Sequence, residues 1–277
     1  MRNIDLHFGG AEHAIGVYLV DTEDGLALFD CGPSSTVSSL DAGLARHGVA
    51  LEDVRHLLLS HIHLDHAGAA GTLVRRHPAL TVWVSPVGRP HLVDPSRLER
   101  SARRLYGDFF DELWGDLLPV PEQNVRLAEG DVLGWEAFPT PGHASHHVSY
   151  LRDGTLLAGD AAGVRMPGAS YVLPVSPPPD LDVEGWHETV AEIRRRAPER
   201  LALIHFGVHA DVGTHLDRLE RELDRWTERV GEGMEQDEFV ETARADAGED
   251  APLYDRVAPF WQSWAGLRRY WDVRRAA

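Results

Sequence analysis

Apolar and polar positions fall into blocks whose period changes along the chain. Short apolar runs open it: IDLHF near residue 4, AIGVYLV ending at Val20 and LALFD ending at Asp30, with Gly9-Gly10 and Asp24-Gly25 between them. Runs of that length, separated by Gly and Asp, predict strands joined by turns. Leu40 and Leu44 then share one helical face over Val37 to His47. VRHLLLS is apolar without alternation, the pattern of a buried strand. It leads straight into HIHLDHAGAAGTLVRRHP, which reads as a helix closed by Pro78, and LTVWVS predicts another strand.

From Pro86 to Pro121 the period becomes helical. Leu98, Leu105, Phe109, Phe110, Leu113, Trp114 and Leu117 recur among Arg and Asp, and predict an insertion of two or so helices. Strand patterns resume in NVRLAEGDVLGWEAFPT, HVSYL and GTLLAGD. Met166 to Pro179 must be loop, because the consecutive prolines Pro177, Pro178 and Pro179 exclude helix and central strand. Trp186 to Arg196 reads as helix, LALIHF as strand, and Thr214 to Val230 as a charged amphipathic helix. Beyond Gly231-Glu232-Gly233 the chain is helical and aromatic, with Trp261, Trp264, Tyr270 and Trp271. The expected organisation is one α/β catalytic domain over 1–230, carrying a helical insertion at about 86–121, and a helical C-terminal extension over 231–277.

Composition adds exclusions. The 277 residues hold 44 acidic and 27 basic side chains, a formal net charge of −17. That charge disfavours nucleic acid, whose non-specific binding depends on Lys and Arg neutralising phosphates. Cys31 is the single cysteine, so neither an intrachain disulfide nor a cysteine-based zinc cluster can form; it reads as a buried structural residue. No stretch approaches the roughly 20 apolar residues of a membrane span, and no signal-peptide pattern is present. The expectation is a cytoplasmic protein acting on a small molecule, without membrane or nucleic-acid partners. The aromatic tail either packs back on the domain or forms a homodimer contact.

Sixteen histidines are present, and their placement matters more than their number. His61, His63, Asp65 and His66 put four metal-competent side chains within six residues, directly after an apolar strand. On an extended strand end, His61, His63 and Asp65 would point to one side, and His66 would break the alternation where a helix begins. Neutral imidazole and carboxylate suit zinc, and also iron or manganese. Further donors sit at predicted strand ends: His143 in Thr140-Pro141-Gly142-His143, Asp160 in Ala158-Gly159-Asp160, and His205 after LALI.

In this order the segments resemble the metallo-β-lactamase-fold superfamily, in its hydroxyacylglutathione hydrolase-like branch. The resemblance spans about residues 4 to 230. It implies a four-layer αβ/βα sandwich and two divalent metal ions, zinc first, with iron or manganese as alternatives. One ion would be held by His61, His63 and His143, the other by Asp65, His66 and His205, with Asp160 bridging. Asp30, in Phe29-Asp30-Cys31-Gly32, resembles the family's aspartate that orients a ligand histidine through its ring N–H. His147 has a packing or orienting role in such relatives, and the same standing is assigned here to His146.

The activity implied is metal-dependent hydrolysis of an ester, thioester or lactone carbonyl, with Asp65 taking the proton or orienting the nucleophile. A phosphodiesterase or nuclease of the same fold, and an iron-dependent sulfur dioxygenase, are the alternatives. The basic glutathione-binding motif of the thioester hydrolases is missing from the C-terminal segment. Tyr171, Tyr106 and His209 are candidate substrate contacts. The charged face around Arg97, Arg100, Arg103 and Arg104 is a candidate cap, or simply a solvated helix.

Overall fold

The computed structural model describes residues 1–276, which divide into two compact units at the boundary between Pro139 and Thr140. In the first unit, strands β1 (Arg2–Asp5), β2 (Gly16–Thr22) and β3 (Gly25–Phe29) follow the three apolar runs. Helix α1 (Val37–Arg46) then buries Leu40 and Leu44, four residues apart on one face. Strand β4 (Val54–Leu58) is buried along most of its length, as its unbroken apolar pattern requires.

After β4 come two short helices, α2 (Leu64–Ala67) and α3 (Ala70–Arg76), and strand β5 (Thr81–Val84). The insertion contains three helices: α4 (Arg89–Val93), α5 (Ser96–Tyr106) and α6 (Phe110–Trp114). Strands β6 (Val125–Leu127), β7 (Gly130–Val132) and β8 (Trp135–Pro139) complete the unit. The six strands β1 to β6 form one sheet in chain order. Its first pairings, β1–β2 and β2–β3, are antiparallel, and β3–β4, β4–β5 and β5–β6 are parallel. The sheet is therefore mixed; β7 and β8 lie outside it and pair antiparallel with each other.

One local expectation is corrected. His61, His63 and Asp65 do not alternate along an extended strand, because β4 ends at Leu58 and helix α2 starts at Leu64. His63, in the extended region, is the residue that caps α2, so Asp65 and His66 already lie on its single turn. The donors share a side because the chain bends there, not because a strand alternates.

The second unit contains β9 (Val148–Arg152), β10 (Thr155–Leu157), helix α7 (Val183–Arg196), β11 (Arg200–Leu203) and β12 (Gly207–His209). β10 pairs antiparallel with β9 and parallel with β11, which in turn pairs antiparallel with β12. Helix α7 begins earlier than the apolar period suggests, because the Asp182 carboxylate accepts the Gly185 N–H at 3.2 Å and caps it. The long α8 (Val212–Gly231) buries Leu216, Leu219, Leu223, Trp226 and Val230, one stripe of a 3.6-residue period.

Three more helices follow: α9 (Gln236–Ala247), α10 (Ala251–Val257) and α11 (Phe260–Ala276). The aromatics of this tail pack back within the unit. Trp264 donates its indole N–H to the Met234 carbonyl at 3.0 Å, and Trp271 to Thr227 at 2.8 Å. Trp226 meets Phe239 and Phe260 edge-on, with ring centroids 5.0 and 6.1 Å apart. Among the described residues no helix is long and apolar enough to cross a membrane.

Candidate metal centre

In the first unit the donors crowd one turn of chain. Asp30 follows β3 in the left-handed conformation, φ 58°, and is fully buried. Its carboxylate accepts the Ser60 N–H at 2.7 Å, the Ser60 hydroxyl at 2.7 Å, and the His66 Nδ1–H at 2.8 Å. Since the Ser60 hydroxyl donates to Asp30, its oxygen is left to accept from His61 Nδ1 at 2.9 Å. Both His61 and His66 therefore carry their proton on Nδ1 and present the Nε2 lone pair, which is how a carboxylate behind an imidazole fixes a ligand.

Burial pushes the Asp30 carboxyl up, against the opposing pull of His66 and Ser60. Burial, with Asp30 adding to it, also holds the Cys31 thiol well above its ordinary range. Cys31 is thus an inert buried thiol, its backbone N–H bonded to the His66 carbonyl at 2.8 Å.

His61 Nε2 and His63 Nδ1 lie 2.9 Å apart, and the His61 and His66 rings are 4.0 Å centroid to centroid. Lone pairs at that separation need a proton or a cation between them. The Asp65 carboxylate is 3.7 Å from His66 Nε2 and about a quarter exposed. Ser60 was not among the residues singled out from sequence, yet it links Asp30 to both histidines; its position directly before His61 was the available signal.

In the second unit the donors come from separated segments. His143 follows Pro141-Gly142, and helix α7 braces that turn: Thr189 donates its hydroxyl to the Pro141 carbonyl at 2.6 Å. Gly142 has φ +130°, and a Cβ there would sit 2.4 Å from the Trp186 Cα, so only glycine fits. His143 Nδ1–H donates to the Val175 carbonyl at 2.6 Å, leaving Nε2 as the lone pair, 3.4 Å from Asp160 Oδ2. The other Asp160 oxygen is 3.7 Å from His205 Nε2. All three side chains are buried. An imidazole lone pair facing a buried carboxylate is repulsive unless a proton or cation lies between, so this donor set also fits a metal.

His147 supports Asp160 through its backbone. The Asp160 N–H donates to His147 Nε2 at 3.1 Å, so His147 Nδ1–H faces the Thr140 hydroxyl at 2.7 Å. Thr140 meets Ser149 at 2.9 Å, and Ser149 donates to the Ala158 carbonyl at 3.3 Å. The chain of hydrogen bonds closes on the segment that carries Asp160. Sequence reasoning found His147 but not Thr140, Ser149 or the Val175 carbonyl.

Of the candidate substrate contacts, Tyr106 belongs to the first unit and Tyr171 and His209 to the second. Tyr106, in α5, stands edge-on to Trp114 at 5.1 Å, in an apolar cluster with Leu64, Ala102 and Phe110. That cluster ties the helical insertion to the residue before Asp65. Tyr171 donates its hydroxyl to Glu222 at 3.1 Å, and burial with the Glu222 charge pushes its phenol up. Its donor is thus engaged inside the helices of the second unit. His209, on β12, turns Nε2 to the Phe206 carbonyl at 3.1 Å, and burial lowers its pKa. His146 is buried beside His147.

The family model described as the metallo-β-lactamase superfamily matches residues 13–208. A metallo-β-lactamase fold-containing protein of Sulfurisphaera tokodaii is 29% identical over 191 residues, 64% of this chain and 71% of its own length. An N-acyl homoserine lactonase of a Bacillus species is 29% identical over 160 residues, 48% of this chain and 56% of its own. A crystal structure of an archaeal metallo-β-lactamase superfamily protein from Sulfolobus tokodaii superposes with a TM-score of 0.64 at 24% identity, covering 92% of this chain and 93% of that one.

Proposed function

The chain belongs to the metallo-β-lactamase superfamily and has its α/β sandwich fold with a helical C-terminal region; from that premise we propose a binuclear metallo-hydrolase of carboxylic esters, thioesters or lactones. The observation that carries the reading is the preset donor geometry. His61, His66 and His143 each have Nδ1–H tied to an acceptor, which leaves Nε2 to bind. His61, His63 and His143 would hold one ion, Asp65, His66 and His205 the other, and Asp160 both. Zinc suits this set of imidazoles and carboxylates best, with iron or manganese next.

When bound, a pair of divalent ions supplies a water acidic enough to ionise near neutrality and a Lewis acid for the substrate's carbonyl oxygen. The remaining work falls to the chain. Asp65, the most exposed of the carboxylates named, takes or orients the proton of the attacking water. Asp30 keeps His66 in one tautomer through the reaction, and His147 keeps the Asp160 backbone in place. The aromatic cluster of Phe8, Tyr106 and Trp114 packs on Leu64 and so anchors the start of the helical turn that carries Asp65. Likeness to an N-acyl homoserine lactonase puts a lactone first among the carbonyl substrates.

The test is a panel of lactone, aryl ester, thioester and bis-phosphodiester on protein of measured metal content. The expected result is about two zinc, iron or manganese ions per chain and turnover of the carbonyl substrates. Turnover of the bis-phosphodiester alone would move the assignment to a phosphodiesterase. A metal-free protein with full activity would overturn it.

A further inference from the structure

The C-terminal helices grip the loop that supports the second unit's donors. That loop, Val164 to Ser176, is closed by the bridge between Val164 and Leu173. At its far end the Val175–Ser176 peptide faces two ways. Its C=O accepts from His143 Nδ1 at 2.6 Å, and its N–H donates to the Ser263 hydroxyl oxygen of α11 at 3.2 Å. One planar peptide unit therefore joins the helix to the donor imidazole.

Gly266, one turn along α11, lies against the next carbonyl: a Cβ there would fall 1.9 Å from the Ser176 oxygen. Ser176 and Ser263 are both fully buried, and the Ser176 hydroxyl closes the turn by donating to Pro174 at 2.7 Å. At the loop's near end the Tyr254 hydroxyl of α10 accepts the Met166 N–H at 3.2 Å and donates to the Tyr171 carbonyl at 2.7 Å. The residue before Met166, Arg165, exchanges backbone hydrogen bonds with the His205 segment: Arg165 N–H to the His205 carbonyl at 2.7 Å, and Phe206 N–H to the Arg165 carbonyl at 3.2 Å.

We infer that Ser263 and Gly266 are positioning residues for His143: by holding the Val175–Ser176 peptide they fix the ring's tautomer and aim. The N–H bonded to Ser263 polarises the same amide whose oxygen receives the His143 proton, so the two hydrogen bonds strengthen each other. Loss of an outer partner of this kind weakens a metal ligand roughly 10–100-fold. The consequence for metal affinity rests on the metallo-hydrolase reading; the consequence for the tautomer does not.

The experiment uses the full chain, as wild type and as Ser263→Ala, Gly266→Ala, Ser263→Thr and Leu267→Ala. Ring ¹⁵N spectra of His143 in metal-free protein report the tautomer, and zinc titration against a chromophoric chelator reports affinity. Wild type and Ser263→Thr are expected to hold the Nδ1–H form. Ser263→Ala and Gly266→Ala are expected to populate the other tautomer and to weaken one of two zinc equivalents roughly 10–100-fold. Leu267→Ala removes a buried side chain of the same helix, and is expected to lower the melting temperature with tautomer and zinc affinities unchanged. An unchanged His143 tautomer in both Ser263→Ala and Gly266→Ala overturns the inference. So does an equal effect from Leu267→Ala. A wild-type chain that takes up no zinc refutes the metallo-hydrolase reading instead, and the ¹⁵N spectra still decide this one.

Discussion

The two units present their donors in opposite ways. The first crowds His61, His63, Asp65 and His66 into one bend and holds them from behind with a single carboxylate, Asp30, and a single hydroxyl, Ser60. The second draws His143, Asp160 and His205 from three segments and holds each by a different route: a loop carbonyl, a buried histidine relay, and backbone bonds to Arg165. The first arrangement is local and charged. The second is distributed, and its supports are neutral hydrogen bonds. A local cluster survives loosening of the fold around it, whereas a distributed one depends on packing far from the donors.

The largest effect should come from Asp160→Ala. It removes the carboxylate that faces both His143 and His205, and turnover should fall by more than the roughly 100-fold that loss of an outer partner produces. Circular dichroism should show the fold retained. His63→Ala should do the same in the first unit. Unchanged turnover in both variants would remove these residues from the chemistry.

Next comes a contrast between buried histidines. His66 sits against Asp30, whereas His215, on α8, donates Nε2–H to the Ala162 carbonyl at 2.7 Å and has Arg165 3.5 Å from Nδ1. Burial, with Arg165 adding to it, lowers the His215 pKa to about 4, so the ring is neutral in the folded chain. Unfolded, it titrates near pH 6.5. Between these values the unfolded state binds the extra proton. Stability from this residue is therefore full above pH 6.5 and falls by about 3 kcal/mol as the pH drops to 4. Urea unfolding of wild type and His215→Gln across that range should show a smaller loss in the variant. Parallel curves would refute the assignment.

What was legible in the sequence follows the same division. The strands, the helical insertion and the amphipathic α8 were readable because each buries one face or both, and period records burial. His61 to His66 was readable because its donors are contiguous. His143, Asp160 and His205 were each unremarkable strand-end residues, identifiable only as a set that matched a known family. The alternation that grouped Asp65 with His61 and His63 does not exist, since the helix begins at Leu64. Thr140, Ser149, Ser176 and Ser263 left no trace: a buried serine or threonine that completes a hydrogen bond has the same letter as one on the surface. The Val175 carbonyl is backbone and has no letter of its own.

Asp30→Asn tests the charged support. The amide cannot accept the Ser60 and His66 donors as the carboxylate does, and metal affinity should fall roughly 10–100-fold. Chelator competition measures it. An affinity equal to wild type would mean that the neutral hydrogen bonds of the first unit are enough to orient His66.

The finest comparison sets one substitution against itself. Ser60→Ala and Ser149→Ala each delete a single buried hydroxyl. Ser60 touches the carboxylate and a donor ring directly, so its loss removes the hydroxyl that faces His61 Nδ1 and should weaken metal binding. Ser149 stands three hydrogen bonds from the Asp160 N–H along the relay through Thr140 and His147, and its hydroxyl otherwise meets the Asp160 segment through a long 3.3 Å bond to the Ala158 carbonyl. Its loss should cost about 1 kcal/mol of stability and leave metal affinity within about twofold, because the nearer hydrogen bonds of the relay remain. Denaturant unfolding and zinc titration of both variants separate the two quantities. If Ser149→Ala weakens zinc as much as Ser60→Ala does, the distributed unit transmits strain along its whole relay, and distance from the donors is no protection.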